Sequence, residues 1–164
     1  MQQMSETDFQ ILSETVLKHL SDRKMRLVTV ESCTGGMICA ALTDIPGSSA
    51  FIEGGFVTYS NALKTSAAGV PEDILSRYGA VSEETAQAMA EGALWHATDA
   101  TIAISVTGIA GPDGGTLAKP VGTVCFGLSI FQGASLTERH VFPGNRSDIR
   151  RATVRHALGM ILKV

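Results

Sequence analysis

Three potential nucleophiles stand side by side in the segment ESCTGG, residues 31–36: a serine, a cysteine and a threonine. The segment follows the run RLVTVE and precedes MICAALTD, a pattern that predicts a turn between a strand and a helix. Free backbone N–H groups and the positive end of the helix dipole then suit an anion or an oxyanion. An ordinary capped turn fits the same pattern. The candidate nucleophiles and ligand contacts here are Ser32, Cys33, Thr34, Gly35 and Gly36.

A lysine follows the next predicted strand at a spacing that suits a general base. Asn61 is an acceptable helix N-cap, so Lys64 falls in the first helical turn, where the helix dipole disfavours a cation. Burial would lower the pKa of Lys64 further, and a neutral lysine can deprotonate a serine. Tyr59 offers a phenol that can relay or orient a proton. The alternative for Lys64 is a solvated surface lysine with no role in catalysis, and the alternative for Tyr59 is an aromatic ring of the core at the end of a strand.

A long glycine-rich loop, residues 105–115, follows a third predicted strand. Its small residues let the backbone approach a ligand closely, which makes Thr107, Gly108 and Gly111 candidate binding positions. Near the carboxyl end, Arg146 opens the last predicted helix, where a phosphate is favoured. The other arginines of that helix are expected to be solvated or to face a second copy.

The elements around these residues alternate between strands and helices. Helices are predicted over 7–24, from the turn after 36, from 61, from 71, from Ser82 to about Ala97, and after Asn145. Strands are predicted over 26–31, 51–60, 100–108, 121–131 and 135–143, the third and fourth being buried on both faces. This order predicts a three-layer α/β/α sandwich with a mixed sheet. The loops at Ser32, Tyr59 and Thr107 all follow strands and can converge at one edge.

Composition narrows the class of protein. The chain has 164 residues, 45% hydrophobic and 18% charged, which predicts one globular domain over 1–164. A net charge of −3 argues against nucleic acid or a membrane surface as a partner. The polar start and the lack of a long apolar run predict neither a signal peptide nor a membrane span. Three cysteines without a C-x-x-C pair and four scattered histidines predict a cytoplasmic chain with no metal site.

Five ordered segments together resemble the CinA C-terminal domain family: ESCTGG, PGSSAFIEGGFVTYSNALK, GAVSEETAQAMAEGAL, SVTGIAGPDGGTLAKPVGTV and F-x-G-N-R. The resemblance implies an anticodon-binding-domain-like fold with a mixed, mostly parallel five-stranded sheet. It implies hydrolysis of nicotinamide mononucleotide to nicotinic acid mononucleotide and ammonia, in pyridine nucleotide recycling. Ser32 matches the nucleophile, Lys64 the base and Tyr59 an assisting tyrosine. Thr107 and Arg146 match positions near the nucleotide.

This interpretation requires no metal or organic cofactor. The substrate phosphate needs an anion site, for which Ser48, Ser49 and Arg146 are candidates, and Asn61 is a further candidate contact. A homodimer is expected. The alternatives are Cys33 as the nucleophile, a non-catalytic nucleotide-binding or interaction module, and a phosphate-ester hydrolase. The last usually needs a metal held by carboxylates, and the motifs contain only widely spaced ones.

Overall fold

The computed structural model of the chain describes residues 6–164, in which six helices surround a sheet of five strands. The helices are α1 (Glu6–Asp22), α2 (Met37–Thr43), α3 (Asn61–Ala68), α4 (Glu72–Tyr78), α5 (Glu83–His96) and α6 (Arg146–Ile161). The strands are β1 (Leu27–Glu31), β2 (Ile52–Val57), β3 (Ile102–Gly108), β4 (Thr123–Ile130) and β5 (Ser135–Val141). A single 3-10 turn, Ser48–Ala50, precedes β2.

The sheet is mixed, as the sequence predicts. Its strand order is β2-β1-β3-β4-β5. Strand β1 pairs in parallel with β2 and with β3, whereas β4 is antiparallel to both of its neighbours. Four strands therefore point in one direction, and the carboxyl ends of β2, β1 and β3 meet at the same edge. Strand β5 lies at the border of the sheet, where its alternating sequence suits one exposed face.

Two separate cores make this a three-layer α/β/α sandwich. Successive side chains of a strand point to opposite faces, so Ile102 and Ile104 of β3 pack with α1, α2 and α6. Ala103, between them, packs on the other face with α5. The apolar runs in β3 and β4 are buried along nearly their whole length, which confirms their prediction as internal strands.

Polar side chains cap the starts of α3 and α6. The N-cap of α3 is Ser60, whose side chain accepts a hydrogen bond from the Leu63 amide, so the prediction of Asn61 as the cap is wrong by one residue. Asn145 and Asp148 form a capping box at the start of α6. Within residues 6–164, no helix combines the length and the apolar character needed to cross a bilayer.

Helix α5 crosses α3 closely because it has a glycine at the contact. A Cβ atom added at Gly92 would lie 1.8 Å from the Ala68 carbonyl oxygen. Gly159 of α6 is a matched control, since its added Cβ meets nothing within 4 Å.

We predict that Gly92→Ala lowers the free energy of unfolding by about 1–3 kcal/mol, because the two helices must move apart. Gly159→Ala should raise it by roughly 0.5–1 kcal/mol, because alanine is the better helix former. Urea unfolding followed by circular dichroism measures both. Equal effects of the two substitutions would contradict the close crossing.

Candidate active site

A cleft opens at the edge where the carboxyl ends of the parallel strands meet. Its volume is about 270 Å³. The residues that line it are Ser32, Cys33, Tyr59, Asn61, Lys64, Ala80, Val81, Thr107, Gly108, Ala110 and Arg146. The loops after β1, β2 and β3 therefore do converge, together with the turn before α5 and the start of α6. These lining residues include the guanidinium of Arg146 and no carboxylate, so the cleft favours an anionic ligand.

Ser32 and Lys64 are joined at the floor of the cleft. The Nζ atom of Lys64 donates to the Ser32 Oγ at 3.1 Å and to the Thr58 carbonyl oxygen at 2.9 Å. Ser32 lies one residue beyond β1, and its backbone N–H still donates to the Val106 carbonyl of β3 at 3.0 Å. The main chain of Thr58 is held in turn by the Glu31 carbonyl. Adjacent parallel strands thus fix the distance between the two side chains.

The Lys64 side chain is buried, and among residues 6–164 no carboxylate forms an ion pair with its amine. Lys64 is only 1% exposed and lies in the first part of α3. Desolvation by burial lowers the pKa of Lys64, because the charged form loses its hydration. The solvated-lysine alternative is therefore wrong. A lysine in this setting can exist as a neutral amine whose lone pair accepts a proton.

A buried carboxylate shapes the turn that carries Ser32, here called the serine loop (residues 32–36). Glu31 is fully buried, and its carboxylate accepts five hydrogen bonds. Three come from the amides of Gly36, Ile38 and Cys39, so this carboxylate caps α2 from inside the protein. The expectation that the helix end is open to a ligand is therefore corrected, since Glu31 already occupies it.

Cys33 is placed differently from its neighbour Ser32. It packs into the α2–α6 core, and burial raises the pKa of the Cys33 thiol to about 12. Helix α2 begins only at Met37, so its dipole does not activate this thiol. A protonated, desolvated thiol is a weak nucleophile. The burial of the Cys33 side chain thus favours Ser32 over Cys33 as the candidate nucleophile.

Arg146 and Tyr59 form the outer wall of the cleft. The guanidinium of Arg146 donates to the Tyr59 hydroxyl at 3.2 Å and to the Gly111 carbonyl at 2.8 Å. Tyr59 is 62% exposed, so it is not a core aromatic. Its hydroxyl contacts Arg146 rather than the Ser32–Lys64 pair. Thr107 is buried and donates from Oγ1 to the Ala80 carbonyl at 2.6 Å, which ties β3 to the turn before α5.

Some candidate residues lie outside the cleft. Ser48 and Ser49 precede β2, at the opposite end of the sheet, where the Ser49 carbonyl accepts a hydrogen bond from Arg26. In this chain they do not line the cleft that contains Ser32 and Lys64, which corrects the expectation that they bind the substrate phosphate there. Thr34 is buried with its hydroxyl on Glu31, and Gly35 and Gly36 shape the serine loop through positive φ angles of 61° and 100°.

Arg150 contacts the serine loop, which was not predicted from the sequence. Instead of being solvated, its guanidinium donates to the carbonyls of Cys33 (3.1 Å) and Thr34 (3.0 Å). Helix α6 is thereby fastened to the serine loop. Ala80 and Val81 were also missed as lining residues. A signal existed for Arg150, because it lies one helical turn after Arg146 and so shares its face.

Comparison with known proteins agrees with this architecture. Residues 9–164 match the family model described as the CinA C-terminal domain, and the chain belongs to this family. A crystal structure from Agrobacterium tumefaciens, titled competence/damage inducible protein CihA, is similar with a TM-score of 0.92. It is 40% identical in sequence, over 99% of this chain and 98% of that one.

Two curated relatives differ in length. The nicotinamide-nucleotide amidohydrolase PncC of Escherichia coli (strain K12) is 47% identical over 155 residues, which cover 94% of this chain and 93% of the relative. The putative competence-damage inducible protein of Symbiobacterium thermophilum is also 47% identical, over 94% of this chain. The chain spans only 38% of the length of that second relative.

We predict that Glu31→Gln lowers the free energy of unfolding by about 3 kcal/mol, because the new NH2 group faces N–H donors that it cannot satisfy. The melting temperature should fall by roughly 6–12 °C. Glu14→Gln, at an exposed position of α1, should change it little. Scanning calorimetry of the two variants checks the prediction, and equal melting temperatures would contradict it.

Proposed function

We propose that this chain is a nicotinamide-nucleotide amidohydrolase that converts nicotinamide mononucleotide and water into nicotinic acid mononucleotide and ammonia. The observation that carries the proposal is the buried Lys64 amine, 3.1 Å from the Ser32 hydroxyl and open to an anion-favouring cleft. Support also comes from the Escherichia coli relative, which is named as a nicotinamide-nucleotide amidohydrolase and is similar over nearly its whole length. A role in pyridine nucleotide recycling follows from these reactants.

In the first half of the proposed reaction, Ser32 is the nucleophile and Lys64 the base. The neutral amine takes the Oγ proton while Oγ forms a bond to the carboxamide carbon. The carbonyl oxygen becomes an oxyanion in a tetrahedral intermediate. When the C–N bond breaks, the Lys64 ammonium gives its proton to the departing NH2 group, and ammonia leaves. A nicotinoyl ester remains on Ser32, and Lys64 is neutral again.

In the second half, water replaces ammonia. Lys64 takes a proton from the water as its oxygen bonds to the ester carbon. The intermediate then collapses, the Ser32 Oγ leaves with the proton that Lys64 returns, and the product carboxylic acid is released. All four proton transfers involve one amine, so its pKa must allow both gain and loss of a proton near neutral pH.

The oxyanion needs N–H donors that are already in place. Glu31 takes the amides of Gly36, Ile38 and Cys39, and the Gly35 amide donates to the Ser32 carbonyl. Among the described residues of the serine loop, this leaves the amides of Cys33 and Thr34 for the oxyanion. Arg150 holds the Cys33 carbonyl, and the N–H of Thr34 belongs to the same peptide plane. Arg150 is therefore proposed as a positioning residue for this donor.

The opposite end of the substrate carries a phosphate, and Arg146 is the proposed partner. The α6 N-terminus is already capped by Asn145, so the guanidinium rather than the helix amides would bind the phosphate. Tyr59, Asn61, Thr107 and Gly108 also line the cleft and would orient the nucleotide. This arrangement leaves Tyr59 with a role at the substrate rather than at the Ser32–Lys64 pair.

The cysteines, the net charge and the exposed aromatic surface bear on the compartment, the partners and the oligomeric state of the protein. Three free cysteines suit a reducing compartment, and we propose the cytoplasm. The net charge of −3 supports a small-molecule rather than a nucleic-acid partner. A homodimer is supported by exposed aromatic surface, where Trp95 is 76% exposed and contacts the Phe131 ring edge to face.

We predict that Ser32→Ala lowers kcat for ammonia release from nicotinamide mononucleotide by more than about a thousandfold, because the nucleophile is lost. Cys33→Ala should retain most of the activity. An enzyme-coupled ammonia assay with chelator present measures both. The opposite result, activity in Ser32→Ala and none in Cys33→Ala, would assign the chemistry to the thiol. Binding of nicotinamide mononucleotide by a folded wild type that never releases ammonia would instead favour a binding module.

We predict that the activity of the wild type rises with pH through the pKa of Lys64, because only the neutral amine can accept the serine proton. Burial lowers that pKa, so the rise should fall below the usual lysine range. Lys64→Met removes the amine and Lys64→Arg keeps a permanent cation, and each should lose roughly 10²–10⁴-fold in kcat. A pH–rate profile, with circular dichroism of the variants, tests this. Near-normal activity of Lys64→Arg would exclude Lys64 as the base.

We predict that Arg146→Ala raises KM for nicotinamide mononucleotide by roughly 10- to 100-fold, because a charge-assisted hydrogen bond to the phosphate is lost. Activity on nicotinamide riboside, which has no phosphate, should change far less. Arg151→Ala, at an exposed position on the same helix, is the matched control. Steady-state kinetics with both substrates decides the point. An equal loss with both substrates would show that Arg146 does not contact the phosphate.

A further inference from the structure

A second cluster of reactive side chains lies away from the cleft, between β5 and α6. Glu138 and His140 are two residues apart on β5, so their side chains share one face of the sheet. His156 reaches them from α6. The Nε2 atoms of His140 and His156 lie 2.9 Å and 2.8 Å from the same carboxylate oxygen, Oε2 of Glu138.

The three ligand atoms converge as they would around one ion. They all lie within 4.8 Å of one another. Bonds from Zn²⁺ to imidazole nitrogen and carboxylate oxygen are about 2.0–2.2 Å long, so neighbouring ligands at tetrahedral angles are about 3.3 Å apart. The two nitrogen–oxygen distances of 2.9 Å and 2.8 Å are within about half an ångström of that spacing, so the hydrogen-bonded cluster is close to the geometry of a coordination shell.

The surroundings hold the ligands in this orientation. His140 stacks on the Phe142 ring with an interplanar angle of 12°, and the His156 ring lies 4.7 Å from the Phe126 ring, centroid to centroid. Lys163 donates to the other carboxylate oxygen of Glu138, Oε1, at 2.6 Å. That bond leaves Oε2 directed at the two imidazoles, as an outer-sphere partner of a metal ligand does.

The cluster remains accessible from solvent. His140, His156 and Glu138 have side chains that are 39%, 23% and 21% exposed. An ion held by these three groups would therefore keep at least one position for water. Two imidazole nitrogens with one carboxylate suit Zn²⁺, Co²⁺ or Ni²⁺, whereas Mg²⁺ and Ca²⁺ prefer oxygen ligands.

We propose that Glu138, His140 and His156 form a binding site for a divalent transition-metal ion of the Zn²⁺ class, separate from the cleft. The sequence alone predicts no metal site, because His156 comes from another element, 18 residues after Glu138. The bound ion links β5 to α6. Since α6 carries Arg146 and Arg150, this link holds in place the helix that completes the cleft. The site is independent of the proposed amidohydrolase chemistry.

The test uses the full, tag-free chain after treatment with a chelator. Co²⁺ is titrated while the visible absorption bands of the metal are recorded, and Zn²⁺ is then added in competition. We expect saturable binding of one ion per chain, displacement by Zn²⁺, and a melting temperature that rises with Zn²⁺ concentration. An equal rise with Mg²⁺ would contradict the proposed donor chemistry.

Three variants and a control locate the site. Glu138→Gln, His140→Gln and His156→Gln should each weaken Co²⁺ binding by at least about 100-fold. His96→Gln, on exposed α5 surface with its ring bonded within its own helix, should bind as the wild type does. Circular dichroism in chelator confirms folding, and any one folded variant of the three suffices. Unchanged binding in that variant, or no binding by the wild type at millimolar Co²⁺, would overturn the proposal.

Discussion

A buried lysine amine that forms no ion pair with a carboxylate of residues 6–164 is the constraint on which the site depends. An isolated ammonium in such a place is costly, and the cost falls when the amine gives up its proton. The fold supplies what this requires. Strands β1 and β2 are parallel neighbours, so the residues after them lie side by side, and α3 begins early enough to direct Lys64 inward. The proposed base is thus made by burial rather than by a partner residue.

The buried carboxylate of Glu31 has its hydrogen-bonding capacity satisfied by the residues around the serine loop. Glu31 is a buried carboxylate, yet every hydrogen bond it accepts comes from the turn or helix that follows it or from its own strand. The arrangement satisfies the first amides of α2 without a side-chain N-cap, since Gly36 occupies that position. Arg150 then secures the loop from the other side. The Glu31 carboxylate and the Arg150 guanidinium therefore hold the serine loop from two sides.

The sequence predicts most of the fold because the signals are local. Charge-free runs mark β3 and β4, and Ser82 and Asn145 mark helix starts through their own side chains. The site is less predictable from the sequence. Ser32 and Lys64 can be recognised from their residue types and from the family resemblance. The choice between Ser32 and its neighbour Cys33 depends on the direction in which each side chain points, which the sequence does not show. Contacts between distant elements, such as those of Arg150, leave almost no local pattern.

The last helix has a consequence for how the protein is made. Arg150 lies 117 residues after the Cys33 carbonyl that it holds. During synthesis the amino-terminal elements leave the ribosome first, so strands β1 to β3 and the Ser32–Lys64 pair emerge well before α6. A chain that stops short of this helix has Ser32 and Lys64 but neither arginine. Completion of the cleft is therefore tied to the synthesis of α6, and a chain released before that helix is made carries the Ser32–Lys64 pair in an unfinished cleft.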